Sequence, residues 1–562
     1  MQVSLKSGVS WLLLTGGVQP YLEKDEWVQW GGVAIAGQKP ALSPRGEFAV
    51  VGDARLSDRH RLLARLGIDS VGWQGSDTEI IARAWERWGT ACLQEIEGAF
   101  GFAVWEANGN RLWVARDRVG VKTLYYTQTD SSYAIASQLR RLQGYHAQQL
   151  DLVALRDYLC TAFVPGDRTF WQQVRELRPG TVRCLPDGTS EPYWQPTEAI
   201  LSDRSLDWHA RELRSRLEEV VRENLPHNEP VGVYLSGGLD SSCIAALAAN
   251  LHDKPVHTYS IHFGKNCPNE LEFSSLVAAH CQTQHHILEI SPKQMWEQLR
   301  ATMLCLDDPI GDPLTVPNFL LAQRAKQEVR VILNGEGGDP CFGGPKNQPM
   351  LLDSLYSPAP DAVSSYLASF KKCFLDLPRL LQPQVWETVK DEPSIFAPDL
   401  YDRAQYLNRL MLLNIKFKGA DHILTKVNNL TSSAGLDGRS PLFDARIVEL
   451  SLQIPPEYKL AGAVEKAVLK QAVADLLPEA IIQRPKSGMM VPVGLWFRKE
   501  WQRQARKVLL SRKAAIAPYF NRDLIRDWLN YRGDTWNRYG IKLWLLVSLE
   551  VWLQVHGNGT RK

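Results

Sequence analysis

The stretch Tyr234-Leu235-Ser236-Gly237-Gly238-Leu239-Asp240-Ser241-Ser242 decides how the rest of the chain is read. Before it, Val231-Gly232-Val233-Tyr234-Leu235 is short, apolar and β-branched, as a buried strand requires. After it, Cys243-Ile244-Ala245-Ala246-Leu247-Ala248-Ala249 has the composition of a packed helix. The stretch is therefore a strand-to-helix turn. Its two glycines let backbone N–H groups approach a ligand closely. The hydroxyls of Ser236, Ser241 and Ser242 add donors, and the helix N-terminus adds partial positive charge. Together these features make a phosphate cradle. Asp240 puts a carboxylate where anions are expected, which calls for a bridging Mg²⁺. A plain capped helix start would use similar residues; the downstream pattern favours the cradle.

Beyond the turn, strand and helix patterns alternate. Strands are expected at 256–263, 285–290 and 329–333, and helices at 270–282, from Ser291-Pro292 onward, and at 316–327. Such alternation means a doubly wound parallel sheet with ligands at the carboxyl ends of its strands. A second such end is Asn334-Gly335-Glu336-Gly337-Gly338-Asp339. Asp240 and Asp339 thus meet at one sheet edge and would hold Mg²⁺ on a triphosphate or on departing pyrophosphate.

The first part, residues 1–195, reads as strand-rich α+β. An apolar run at 9–18 is a first strand, too short for a membrane span and lacking a cleavage pattern. A strand at 48–51 ends at Gly52-Asp53. Ser76-Asp77-Thr78-Glu79 is a capping box opening an amphipathic helix that stops at Gly89. Residues 100–105 and 111–115 alternate about Asn108-Gly109, a hairpin signal. A linker at 195–206 and a charged amphipathic helix at 208–224 lead into the Ser236 turn.

At 562 residues the chain needs two or more domains. Its 44% apolar and 22% charged content is that of a soluble globular protein, and its net charge of +2 offers no field for nucleic acid or a membrane surface. The nine cysteines form no Cys-x-x-Cys pair, which indicates reduced thiols in the cytoplasm rather than disulfides or a zinc site.

A family resemblance covers nearly the whole chain. Ser76-Asp77-Thr78-Glu79, Gly98-Ala99-Phe100-Gly101-Phe102 and Ala115-Arg116-Asp117-Arg118, with Gly120 and Lys122, resemble the glutamine-hydrolysing domain of asparagine synthetases. Gly335-Glu336-Gly337-Gly338-Asp339 with Phe342-Gly343-Gly344 resembles their synthetase domain. So do Asp308-Pro309 with Asp312-Pro313, Arg439-Ser440-Pro441-Leu442-Phe443-Asp444, and Arg484-Pro485-Lys486-Ser487-Gly488 with Val491-Pro492 and Trp496. The resemblance implies an N-terminal-nucleophile α+β sandwich over 1–195 and an ATP-pyrophosphatase α/β domain with added helices over 206–562. The glutaminase needs a cysteine directly after Met1, where the thiol attacks the amide. This chain begins Met1-Gln2-Val3, its first cysteine is Cys92, and Gly52-Asp53-Ala54 stands where the family carries Asn-Gly-Glu. The expectation is a kept scaffold without glutaminase activity.

The resemblance further implies that a carboxylate attacks the α-phosphorus of ATP, releasing pyrophosphate, and that an amine then displaces AMP. Lys486 matches the lysine that stabilises acyl transfer. Asp240 and Asp339 match the metal carboxylates. Ser236, Gly237, Gly238, Ser241 and Ser242 match the pyrophosphate loop. Leu235, Ser260 and Gly335 are expected to meet the nucleotide. Glu336 lies where the family places a glutamate beside the reacting amine, and would act as base or hold an ammonium. Lys426, Arg439, Glu270 and Glu272 are weighed between site and structural roles, and His285-His286 is read as strand structure. Relatives with a silent glutaminase domain include β-lactam synthetases and lasso-peptide cyclases. The favoured reading is a macrolactam cyclase acting on a precursor peptide, with an unusual acceptor pocket in 345–425 and a biosynthetic partner protein. The alternatives are a small-molecule lactam or amide synthetase, an ammonia-dependent asparagine synthetase, and a non-catalytic nucleotide-binding partner.

Overall fold

Period-two patterning builds the first unit, Lys6–Asp151 with Gly166–Gln195. In the strand Phe48–Leu56, Val50 faces a cluster with Ile80, Ile81, Trp85, Phe100, Phe102 and Val104, whereas Val51 faces one with Leu13, Val33, Ile35, Ala103 and Ile135. The first cluster lies under the helices Arg59–Leu66 and Asp77–Trp88, and the second lies between two six-stranded sheets, as a layered sandwich requires. The N-cap of the expected capping box forms: Ser76 Oγ accepts from the Glu79 N–H, and Gly89 caps the other end. The hairpin also forms, between Gly98–Glu106 and Arg111–Arg116. The strand expected to end at Gly52-Asp53 runs on to Leu56, because Gly98–Glu106 pairs along its full length.

The computed structural model describes residues 10–15, 27–129, 132–186, 188, 190–265, 267–344, 361–461, 464–485, 488–532 and 538–557. Leu12–Thr15 is a strand within the apolar run at 9–18.

The second unit comprises Leu152–Pro165 and Pro196–Lys562. Residues 152–165, which sequence reading grouped with the first domain, pack here: the Tyr158 hydroxyl donates to the Leu545 carbonyl at 2.9 Å, and Gly311 N–H donates to Ala162 O at 2.8 Å. The unit is built on five parallel strands: β1 (Val231–Tyr234), β2 (Val256–His262), β3 (Gln284–Glu289), β4 (Val331–Leu333) and β5 (Asp437–Arg439). Their spatial order is β3-β2-β1-β4-β5, with Val231 paired to both Val256 and Val331. The order reverses between β1 and β4, and ligands bind at that point in such sheets. Helices α1 (Leu239–Leu251), α2 (Leu271–His280), α3 (Thr315–Ala325) and α4 (Gly338–Phe342) follow or join these strands. Residues 241–248 of α1 are all buried, which suits a helix apolar on every side. Among the described residues, no helix is long and apolar enough to cross a membrane.

Candidate active site

A cavity of about 450 Å³ opens at the carboxyl ends of β1, β2 and β4. Leu235, Ser236, Gly238, Asp240, Ser241, Ser260, Gly335, Glu336 and Asp339 line it, so most residues singled out in the sequence converge there. Gly237 and Ser242 do not line it. Gly237 takes φ +79°, a left-handed turn conformation suited to glycine, and its carbonyl accepts from Arg484 at 3.0 Å. Ser242 is fully buried in α1. Lys486 and Pro345-Lys346-Asn347-Gln348-Pro349-Met350 lie outside the described residues. Gly488 and Met489, just beyond Lys486, line the cavity.

The turn is held by its own hydroxyls. Ser236 N–H donates to Ser241 Oγ at 3.1 Å, the two hydroxyls lie 3.0 Å apart, and Gly238 N–H donates to Ser236 Oγ at 3.3 Å. Ser260 Oγ donates to the Leu235 carbonyl at 2.5 Å, tying the end of β2 to the end of β1. The glycines of the second loop permit backbone-to-backbone approach: a Cβ on Gly335 would stand 2.5 Å from Ser241 N.

Asp240 and Asp339 both meet Lys466. Its Nζ lies 2.8 and 2.6 Å from the two Asp240 oxygens and 2.5 Å from Asp339 Oδ1. Sequence reasoning missed Lys466, and nothing in its local pattern marks it. Two carboxylates that share one ammonium can share a divalent cation, and Mg²⁺ is commonly held by one or two carboxylates plus phosphate oxygens. The donor set therefore fits Mg²⁺ bound together with a nucleotide. Among the described residues no cluster of three or more His, Cys, Asp or Glu could hold a metal unaided.

The wall opposite the cradle is charged. Lys418 and His422 sit on a π-helical segment, Asn414–Leu424, and Lys426 on the helix Thr425–Ser433 that continues it. π-Helical turns are rare and concentrate at functional sites. Lys426 Nζ donates to Asp312 Oδ2 at 2.8 Å, and His422 Nε2 lies 3.6 Å from the same oxygen. Burial opposes the Lys426 charge, but Asp312 and Glu336 outweigh it and raise its pKa. Burial likewise opposes the Asp312 charge, but Lys426 and His422 hold its carboxyl well below the usual range. Burial, then Lys426 and Lys418, push His422 down to about 4 against the pull of Asp312, so it is neutral at pH 7. Phe163 stacks on the His422 ring at 5.3 Å and 5°.

The remaining candidates divide. Glu270 lines the cavity and pairs with Arg484, whose guanidinium also lies 3.9 Å over the Phe273 ring. Arg484 thereby ties the segment preceding Lys486 to the turn. Glu272 does not line the cavity. Arg439 donates to the Asn224 carbonyl and pairs with Asp437, a structural role. His286 Nε2 meets His257 Nδ1 at 3.0 Å and His285 meets Thr258, within the sheet, and Arg324 of α3 meets His286 Nδ1 at 3.1 Å. In the first unit, Asp117 is fully buried and accepts from the N–H groups of Gly120, Val121 and Lys122, and Arg116 pairs with Glu176 at 2.8 Å. These motif residues hold a loop together.

A parallel sheet with a glycine-rich turn at its reversal point and two converging carboxylates defines a nucleotide-binding α/β synthetase domain. The sequence profile of the asparagine synthase family matches residues 212–554, more than half the chain, and the chain belongs to that family. It is an ATP-dependent carbon–nitrogen ligase. A glutamine amidotransferase domain profile matches residues 32–194. Similar proteins include asparagine synthetase [glutamine-hydrolyzing] 1 of Bacillus subtilis strain 168, 25% identical over 524 residues, 86% of this chain and 81% of that protein. Asparagine synthetase [glutamine-hydrolyzing] 3 of the same strain is 29% identical over 73% of this chain and 70% of its own. Asparagine synthetase B of Escherichia coli K12 is 23% identical, over 82% and 72%.

Proposed function

We propose that this ligase cleaves ATP to AMP and pyrophosphate, adenylates a substrate carboxylate, and couples it to an amine without drawing nitrogen from glutamine. The observation that carries the reading is the convergence of Asp240 and Asp339 beside the Ser236 turn. A carboxylate oxygen attacks the α-phosphorus, and the bond from that phosphorus to the oxygen bridging to the β-phosphate breaks. The amine then attacks the acyl carbon, its proton passes to Glu336, and AMP leaves. The turn and the N-terminus of α1 orient the phosphates, and Lys486 offsets charge developing on the adenylate. Asp240 and Asp339 would hold Mg²⁺ together with the nucleotide, and the ion would supply Lewis-acid neutralisation of phosphate charge.

Glutamine independence is supported by the cysteines within the amidotransferase-like region. Cys92, Cys160 and Cys184 are all buried, and burial pushes the Cys92 and Cys160 thiols far up, away from a nucleophilic thiolate. The finer reading is macrolactam formation within a peptide, in which an Asp or Glu side chain is activated for attack by the peptide's own amino terminus. The test offers ATP, Mg²⁺ and one of three substrates: such a peptide, its N-acetylated form, or aspartate with ammonia or glutamine. The expected result is a product lighter by one water from the free peptide alone, with no glutamate released from glutamine. Asparagine formed from aspartate, or glutamate release, would contradict this reading.

A further inference from the structure

Several helices of the second unit pair their surface cations with acids one turn away: Arg214 meets Glu218, Arg216 meets Glu219 and Arg324 meets Glu328. Such pairs stabilise a helix, whereas like charges at that spacing destabilise it. The stretch 498–513 departs from this pattern. It holds seven Lys or Arg against one Glu, in a chain whose net charge is only +2. Its helix α5 (Gln502–Leu509) packs Ala505 and Leu509 into the core. Two of the seven cations turn to the fold: Arg498 lies 4.6 Å over the Tyr531 ring, and Arg506 donates to Asn530 Oδ1. The other five, Lys499, Arg503, Lys507, Arg512 and Lys513, are exposed, and among the described residues no side-chain hydrogen bond or ion pair engages them. Arg503 and Lys507 stand four apart on one face of α5, so this helix carries repulsion where its neighbours carry attraction.

We infer that this row of five cations is a docking surface for an acidic segment of a partner polypeptide. Charge complementarity names the occupant, since several carboxylates on one segment can each meet an exposed cation and offset the repulsion within the row. Nucleic acid fits less well: the aromatic side chains beside the row, Trp496, Phe497 and Trp501, are buried, so unpaired bases would find no platform to stack on. A membrane fits less well too, because the apolar side of α5 faces the core and none is left to enter a bilayer. Contacts of this kind set the rate of encounter and the choice of partner more than they raise affinity. The inference does not depend on the ATP chemistry or on the identity of carboxylate and amine.

The test is fluorescence anisotropy of the full chain, at low ionic strength, with a labelled alanine-based peptide carrying glutamate at every fourth position. Its glutamine counterpart, a single-stranded DNA of equal charge and vesicles containing phosphatidylglycerol are measured alongside. Wild type is expected to bind the acidic peptide and not the glutamine one. The combined variant Arg503→Gln, Lys507→Gln, Lys513→Gln is expected to weaken the acidic peptide about tenfold. Combined Arg222→Gln, Arg300→Gln and Arg403→Gln, exposed cations elsewhere in the unit, is expected to change it by less than about twofold. Removing the like charges is expected to leave the melting temperature equal or higher. No binding by wild type, or equal losses in the two variants, overturns the inference. A fall in stability with peptide affinity unchanged means that the cations serve the fold, and overturns it as well. Tighter binding of DNA or vesicles than of the peptide overturns it in favour of that partner, and this comparison on wild type alone decides if the variant does not fold.

Discussion

Gly338 has no side chain because Asp240 occupies the space one would need. A Cβ there would stand 2.2 Å from Asp240 Cγ, far inside van der Waals contact. Gly338→Ala is therefore expected to push the Asp240 carboxylate off its position and weaken binding of a fluorescent ATP analogue about tenfold or more, with the melting temperature nearly kept. Unchanged affinity would mean that Asp240 does not serve the nucleotide. At this scale the convergence of Ser236, Gly238, Asp240 and Asp339 on one cavity was legible, because they lie in two contiguous motifs that each follow a readable strand. Lys466 was not legible. It reaches Asp240 across 226 residues, and no residue beside it carries a pattern that would announce the contact. Motif position also suggested Ser242 as a phosphate donor; its side chain is buried in α1.

At the scale of elements, the π-helical segment and its continuation set Lys418, His422 and Lys426 four residues apart along one cavity wall. His422 there faces Asp312, Lys426 and Lys418, with Phe163 stacked on its ring. Its folded pKa of about 4 lies below the ordinary 6.5, so the folded state favours the neutral ring. The sign follows: this contribution is fully present above pH 6.5 and is lost as pH falls from there towards 4. Its size is about 3 kcal/mol by linkage. Urea unfolding of wild type and His422→Gln between pH 7.5 and 4.5 checks it. The wild type is expected to lose more stability on acidification than the variant, and parallel curves would refute the assignment. Continuous apolar runs beside turn residues made β1, β2 and α1 legible, and an amphipathic pattern behind a capping signal did so for the helix Asp77–Trp88. The three-residue strand β5, Asp437-Gly438-Arg439, was not, since it is short and polar and is fixed by pairing with Val331, Ile332 and Leu333. No sequence pattern distinguishes a π turn from an α turn.

For the whole molecule, composition and motif order made two domains legible, and profiles of the two expected kinds match residues 32–194 and 212–554. The path of 152–165 was not legible, because only tertiary contacts such as Tyr158 to Leu545 decide with which unit a segment packs. The two carboxylates and the turn between strand and helix bear on which bond of ATP is broken. The most direct measurement is ³¹P nuclear magnetic resonance of the nucleotide products during turnover with the carboxylate substrate, for wild type and for Lys486→Ala. AMP and pyrophosphate are expected in step with amide formation, and neither in the folded Lys486→Ala variant. ADP and inorganic phosphate, or undiminished turnover in that variant, would contradict it.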